Sequence, residues 1–231
     1  MKKILFYIVV GSAFLSSCTT TTPITKSVAY KGMYAEKPLT ILLMPPINKS
    51  TNVEAKEYFH STLSIPVANS GFYVIPTFLS MEILKKESAY DAELFLNSPL
   101  SKFGEVFGAD LALFTIIHKW DKSGIAAKVY VDVEYIIKSV KTNDIIYTRR
   151  GDVTYDASIS TGAGGLAGLV ANIALSAINT SLTKYVDVAR ACNAYTFKDL
   201  PTGKYSPKHN IDGEELSGKK YFKAMLNKNY R

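Results

Sequence analysis

The stretch Ala127–Ile137 places Val129, Val131, Val133, Tyr135 and Ile137 at every second position, with Tyr130, Asp132 and Glu134 among the residues between them. Side chains alternate across a strand, so this spacing calls for a β-strand with one face in the core and one in water. Ala109–Trp120, just before it, is apolar and β-branched near its centre. Asp121–Gly124 reads as the intervening hairpin turn. Lys141–Asp144 turns the chain again, and Ile145–Tyr155 supplies a third strand. Three long strands joined by short loops form an antiparallel meander, which any fold for this chain must accommodate.

The first half has a different grammar. Leu39–Met44 (LTILLM) is a nearly unbroken apolar run, as in a strand covered on both faces. Pro45-Pro46 ends it, because proline brings no N–H to a ladder, and Ile47–Ser50 is the turn. Thr51 and Glu54 have capping-box spacing, so a helix begins there. Phe59, Leu63 and Val67 recur on one face of it, Pro66 limits it and Ser70-Gly71 closes it. Phe72–Ile75 is a second short strand, Thr77 caps a helix reaching Lys86, and Ala89–Gly108 holds further short helices. The expected fold class is α/β: a mixed sheet of about five strands with helices packed on it.

The N-terminus decides location. Met1-Lys2-Lys3 is a basic start and Ile4–Leu15 an apolar run too short to span a bilayer as a helix. Leu15-Ser16-Ser17-Cys18 then resembles the bacterial lipobox. That resemblance implies cleavage between Ser17 and Cys18 and acylation of the Cys18 thiol, with Thr19 favouring the outer membrane. Each buried methylene contributes about 0.8 kcal/mol, so a diacylglyceryl cysteine holds firmly. The implied organisation is a lipoprotein signal peptide at 1–17, a flexible tether at 18–36, an α/β periplasmic domain at 37–195 and an extended C-terminal arm at 196–231, with a short helix near Gly218–Leu226. The formal charge of +7 becomes +5 once Lys2 and Lys3 leave. The lysines are scattered rather than clustered, which speaks against nucleic acid as a partner.

Few residues invite chemistry. Gly162–Ala167 fits a dinucleotide-type glycine pattern, but it follows an antiparallel meander and not the first strand of a βαβ unit. The stretch is better read as the start of a long helix reaching about Ala194. Gly164, Gly165, Leu166, Leu169 and Ile173 then form a candidate interface, because a helix apolar nearly all round must be covered. Asp132 and Glu134 share a strand face, which is the ordinary look of a solvated sheet. His60, His118 and His209 have no metal-ligand spacing, and no G-x-S-x-G elbow is present. With Cys18 acylated, Cys192 stands alone and reads as a small buried hydrophobe. Trp120 reads as core or rim packing. The turn at Pro45, Pro46, Asn48 and Ser50 is a candidate ligand or partner site, since strand ends leading into helices bind ligands in α/β sheets. A turn with an N-cap explains the same residues. Neither a cofactor nor a metal is expected.

The run ILLMPPINKSTNVEAKEYFHSTLSIPVANSGFYVIP resembles a family of uncharacterised bacterial outer-membrane lipoproteins, most strongly at Pro45, Pro46, Asn48, Ser50, Pro66, Gly71, Tyr73 and Pro76. ADLALFTIIHKW with Trp120, VYVDVEYII and LPTGKYSP extend the resemblance over most of the mature chain. Family members have a longer proline-rich ending at that last place. The resemblance implies an anticodon-binding-like domain, as in the curli-secretion lipoprotein and the amino-terminal domain of the Tol-Pal translocation protein. It also implies companionship with other envelope lipoproteins of the curli-secretion-like kind, and a non-enzymatic role in an envelope assembly or secretion complex. Self-association is compatible with it. A glycan- or peptidoglycan-binding module using Tyr130, Asp132 and Glu134 is the alternative, and a periplasmic hydrolase would need a catalytic cluster converging in space.

Overall fold

The computed structural model describes residues 23–123, 127–158, 184–227 and 230. The sequence-predicted meander is present: β4 (Leu111–Ser123), β5 (Lys128–Ser139) and β6 (Ile145–Asp156) pair antiparallel in order. To one side of it lie β1 (Thr40–Leu43), which runs parallel to β4, and the short β3 (Tyr73–Val74), parallel to β1. β7 (Tyr221–Asn227) adds a parallel strand beside β6, so the sheet has seven strands instead of about five.

Pro45-Pro46 does not end the ladder. β2 (Ile47–Asn48) resumes pairing with β4, Ile47 opposite Ile116 where Leu43 stood opposite Leu113. Four steps on one strand match three on the other, so the prolines occupy a one-residue excess where no ladder N–H is required. A second irregularity lies in β4. Ile117 faces Val133 and Lys119 faces Asp132, leaving His118 as the extra residue. The bulge reverses the parity of the strand. Leu111, Leu113 and Ile117 face one layer before it, and Trp120 faces that same layer after it. Without the extra residue Trp120 would point to the side of Phe114 and Ile116.

Helices cover both faces. α3 (Ala55–Asn69) and α6 (Tyr185–Phe197) lie on the first, with Phe59, Leu63 and Val67 buried as their spacing predicts. Pro66 sits in the last turn of α3. α4 (Thr77–Lys86), a 3-10 turn at Ala92–Phe95 and α5 (Ser101–Phe107) cover the second through Leu84, Ala92, Leu100 and Phe103. Gly108 stops α5 at φ +64°, where a Cβ would be strained.

Two expected boundaries are wrong. The proposed tether at 18–36 contains α1 (Lys26–Ala29) and α2 (Lys31–Glu36), and Tyr30 and Met33 are core residues. The proposed arm at 196–231 returns through Leu200 and ends in β7, with Phe222 and Leu226 in the same core. The expected short helix near Gly218–Leu226 is this strand.

A buried polar contact aligns α6 on α3 and the sheet. The Tyr135 hydroxyl donates to Asn193 Oδ1 at 2.6 Å, while Asn193 Nδ2 donates to the Phe59 carbonyl (3.2 Å) and Thr62 Oγ1 (2.8 Å). Asn193→Ala strands these groups without solvent and is expected to cost about 2–3 kcal/mol. Urea unfolding should show a lower midpoint at an unchanged slope.

Candidate functional site

The turn singled out from sequence closes on itself. Asn48 Oδ1 accepts from the Ser50 N–H (3.0 Å) and from Ser50 Oγ (2.7 Å), while Asn48 Nδ2 donates to the Asn52 carbonyl (2.7 Å). Asn52 Oδ1 accepts from the Ala55 N–H at 3.1 Å, so Asn52 and not Thr51 satisfies the start of α3. These side chains are spent on shaping the chain between β2 and the helix. Cys18, Ser17, Gly164, Gly165, Leu166, Leu169 and Ile173 lie outside the described residues.

The other sequence candidates resolve into packing. Asp132 takes a two-pronged contact from Arg150 (2.8 and 2.6 Å), and Glu134 meets the bulge residue His118 at 2.8 Å. The carboxylates of the outward sheet face are therefore engaged with their neighbours. Among the described residues no group of three or more His, Cys, Asp or Glu side chains converges as a metal site. Trp120 is buried against Tyr58, Phe59 and Tyr185, at ring distances of 5.9, 5.7 and 6.1 Å. Cys192 is fully buried, and burial pushes its thiol up to about 12, which keeps it protonated and unreactive.

The polar cluster that sequence reasoning missed joins the two ends of the chain. Asp199, 7 % exposed, accepts from the Tyr30 hydroxyl and from the Gly218 N–H (2.6 Å), with Arg149 Nε at 4.0 Å. Arg149 also donates to the carbonyls of Thr196 (2.7 Å) and Lys219 (3.3 Å). Burial, reinforced by the bond to Asp199, pushes the Tyr30 phenol well up, so it stays a donor. Asp212 repeats the arrangement nearby, accepting from Tyr34 (3.0 Å) and the Thr202 N–H (2.9 Å), with Lys26 Nζ at 3.9 Å. Lys26 also binds Glu215 at 2.8 Å and holds that carboxyl below its usual range. Thr25 bridges Leu216 antiparallel, and the Ser217 N–H donates to the Ile24 carbonyl at 2.9 Å.

Glycine makes the approach possible. A Cβ on Gly218 would sit 2.6 Å from the Arg149 guanidinium and 3.0 Å from the Asp199 carboxyl carbon. The LPTG segment is held likewise: Gly203 N–H donates to the Ser70 carbonyl (2.8 Å), and its Cα lies against the backbone of Gly71, which has φ +90°. Pro23, Ile24, Tyr30, Leu216, Lys219 and Lys220 help line a hollow of about 660 Å³ beside this clasp. A cleft of about 760 Å³ lies between Glu36, Lys37, Gly104 and Lys141. Two of its carboxylates are engaged: Asp110 accepts from the Leu39 and Thr40 N–H groups, and Glu36 from Ser139 and Thr142.

A sequence model of one protein family matches residues 28–203, from α1 through the LPTG segment. The chain belongs to that family, the putative lipoproteins described as GNA1162-like. It is 24 % identical over 160 residues to a putative lipoprotein of Neisseria meningitidis serogroup B, across 67 % of this chain and 72 % of that one. Among solved structures, lipoprotein GNA1162 from N. meningitidis matches 63 % of this chain and 100 % of its own at 16 % identity and TM-score 0.47. The C-terminal domain of LpoB from Escherichia coli matches 54 % of this chain and 95 % of its own, at 14 % identity and TM-score 0.35. The family's description as putative lipoproteins is of the same class as the lipobox expectation.

Tyr30→Phe removes one donor from a buried carboxylate and leaves the ring in place. It is expected to destabilise the fold by about 1.5–3 kcal/mol, read as a lower midpoint in thermal or urea unfolding.

Proposed function

We propose that this lipoprotein is acylated at Cys18, is held at the outer membrane with its domain in the periplasm, and works by protein–protein contact, without catalysis, in an envelope assembly or secretion complex. Other envelope lipoproteins, of the curli-secretion-like kind, are the proposed partners, with self-association as a further mode of contact. The observation that carries this reading is the continuity of leader and fold. Leu15–Cys18 has lipobox spacing, and Ile24, six residues past the cysteine, is already bonded to Ser217 in the domain. The polar side chains of the Asn48 turn and of the Asp199 and Asp212 clusters serve chain geometry, which fits a scaffold. The engagement of Asp132 and Glu134 by Arg150 and His118 weighs against the glycan-binding alternative.

Mass analysis of the protein from native membranes should find an acylated cysteine as its first residue. Cys18→Ser should yield a larger, unprocessed product without acyl mass, and an unchanged size for that variant would refute the anchor. Affinity capture from detergent-solubilised envelopes should recover other lipoproteins. Recovery of cell-wall fragments alone would favour the glycan reading.

A further inference from the structure

The anchor and the clasp together constrain how the domain sits. Thr19–Thr22 are the residues between Cys18 and Pro23. Five residue steps span at most about 18 Å even when fully extended. From Ile24 onward the chain is fixed: its carbonyl accepts from both the Ser217 N–H and Ser217 Oγ (2.9 and 3.1 Å), and Thr25 bridges Leu216. Whatever surface surrounds Ile24 is therefore within a short reach of the bilayer.

That surface has the composition of a membrane-interface patch. Ile24 and Leu216, which both line the hollow beside the clasp, are 45 % and 63 % exposed. Next to them, Lys219 and Lys220 line the same hollow, are exposed, and make no ion pair among the described residues. The neighbouring carboxylate of Glu215 is already taken by Lys26 and Lys208, and Asp199 is buried. Apolar side chains flanked by free lysines suit the boundary between acyl chains and anionic headgroups.

We infer that the face built from Ile24, Leu216, Lys219 and Lys220 docks on the anionic phospholipid surface that holds the Cys18 anchor. The inference rests on the acylation of Cys18. The apolar pair enters the headgroup layer and the two lysines meet phosphate. The anchor thus fixes the orientation of the domain as well as its location, and turns the opposite layer, with Phe78 exposed on α4, away from the bilayer.

The test uses the acylated protein in vesicles of phosphatidylethanolamine and phosphatidylglycerol doped with headgroup-nitroxide lipid. A fluorophore is attached through Leu216→Cys or, as control, Phe78→Cys; buried Cys192 does not compete for label. The probe at 216 should be strongly quenched and the probe at 78 hardly at all. Lys219→Glu with Lys220→Glu should leave the anchor intact and weaken docking, about fivefold or more for each lysine, reducing quenching at 216. Equal quenching at the two positions in protein whose acyl mass has been verified overturns the docking and leaves the anchor standing. Protein from native membranes with no acyl mass on its N-terminal peptide overturns the anchor, and the docking with it.

Discussion

The carboxylate of Asp199 has to be satisfied inside the protein. It lies 7 % exposed beneath the N-terminal helices, and an isolated charge in such a place is prohibitively costly. Three groups from three distant parts of the chain answer it: the Tyr30 hydroxyl, the Gly218 N–H and the Arg149 guanidinium. Each fixes something larger. Tyr30 brings α1 and α2 onto the sheet, Gly218 sets the entry into β7, and Arg149 gathers the carbonyls at the end of α6 and beside Lys219. Breaking a buried arrangement of this kind by removing one partner typically costs several kcal/mol, more than a four-residue helix gains by itself.

In the proposed function this clasp links the fold to the envelope. A lipoprotein with a long free tether could address partners at any distance within its reach. Here the chain is committed to the domain six residues after the proposed acylation site, because Ile24 is paired to Ser217 and Lys26 to Glu215. With Cys18 acylated as proposed, the lipid, the clasp and the lysine-bearing hollow form one mechanical unit. On that proposal, partner recognition falls to surfaces further round the domain, in an orientation set by the bilayer.

The sheet meander was legible because alternation sustained from Ala127 to Ile137 suits a half-buried strand and no helix, and Val129, Val131, Val133, Tyr135 and Ile137 are buried as that period requires. The Phe59, Leu63 and Val67 stripe was legible for the matching helical reason. What escaped was structure whose cause is remote in sequence. Residues 26–36 carry no apolar period, and their order depends on Asp199 and Asp212, acidic residues of a polar tail far along the chain. β7 did offer alternation in Phe222, Ala224 and Leu226, but Tyr221 and Met225 on the outer side are apolar too and blur it. The bulge at His118 left no mark in composition, although it alone sends Trp120 to the layer where it packs. At the candidate turn, Asn48 and Ser50 were rightly seen as special. Their role is local, because every bond they make returns to their own loop.

Hydrogen exchange over Tyr30–Lys37 tests the clasp most directly. The Tyr30, Met33 and Lys37 amides are bonded within the docked helices, so the clasp predicts exchange slowed by orders of magnitude and approaching that of the sheet. Exchange at the rate of an unstructured peptide, complete within seconds at neutral pH, would mean that the segment is a free tether and that Asp199 does not hold the chain ends together.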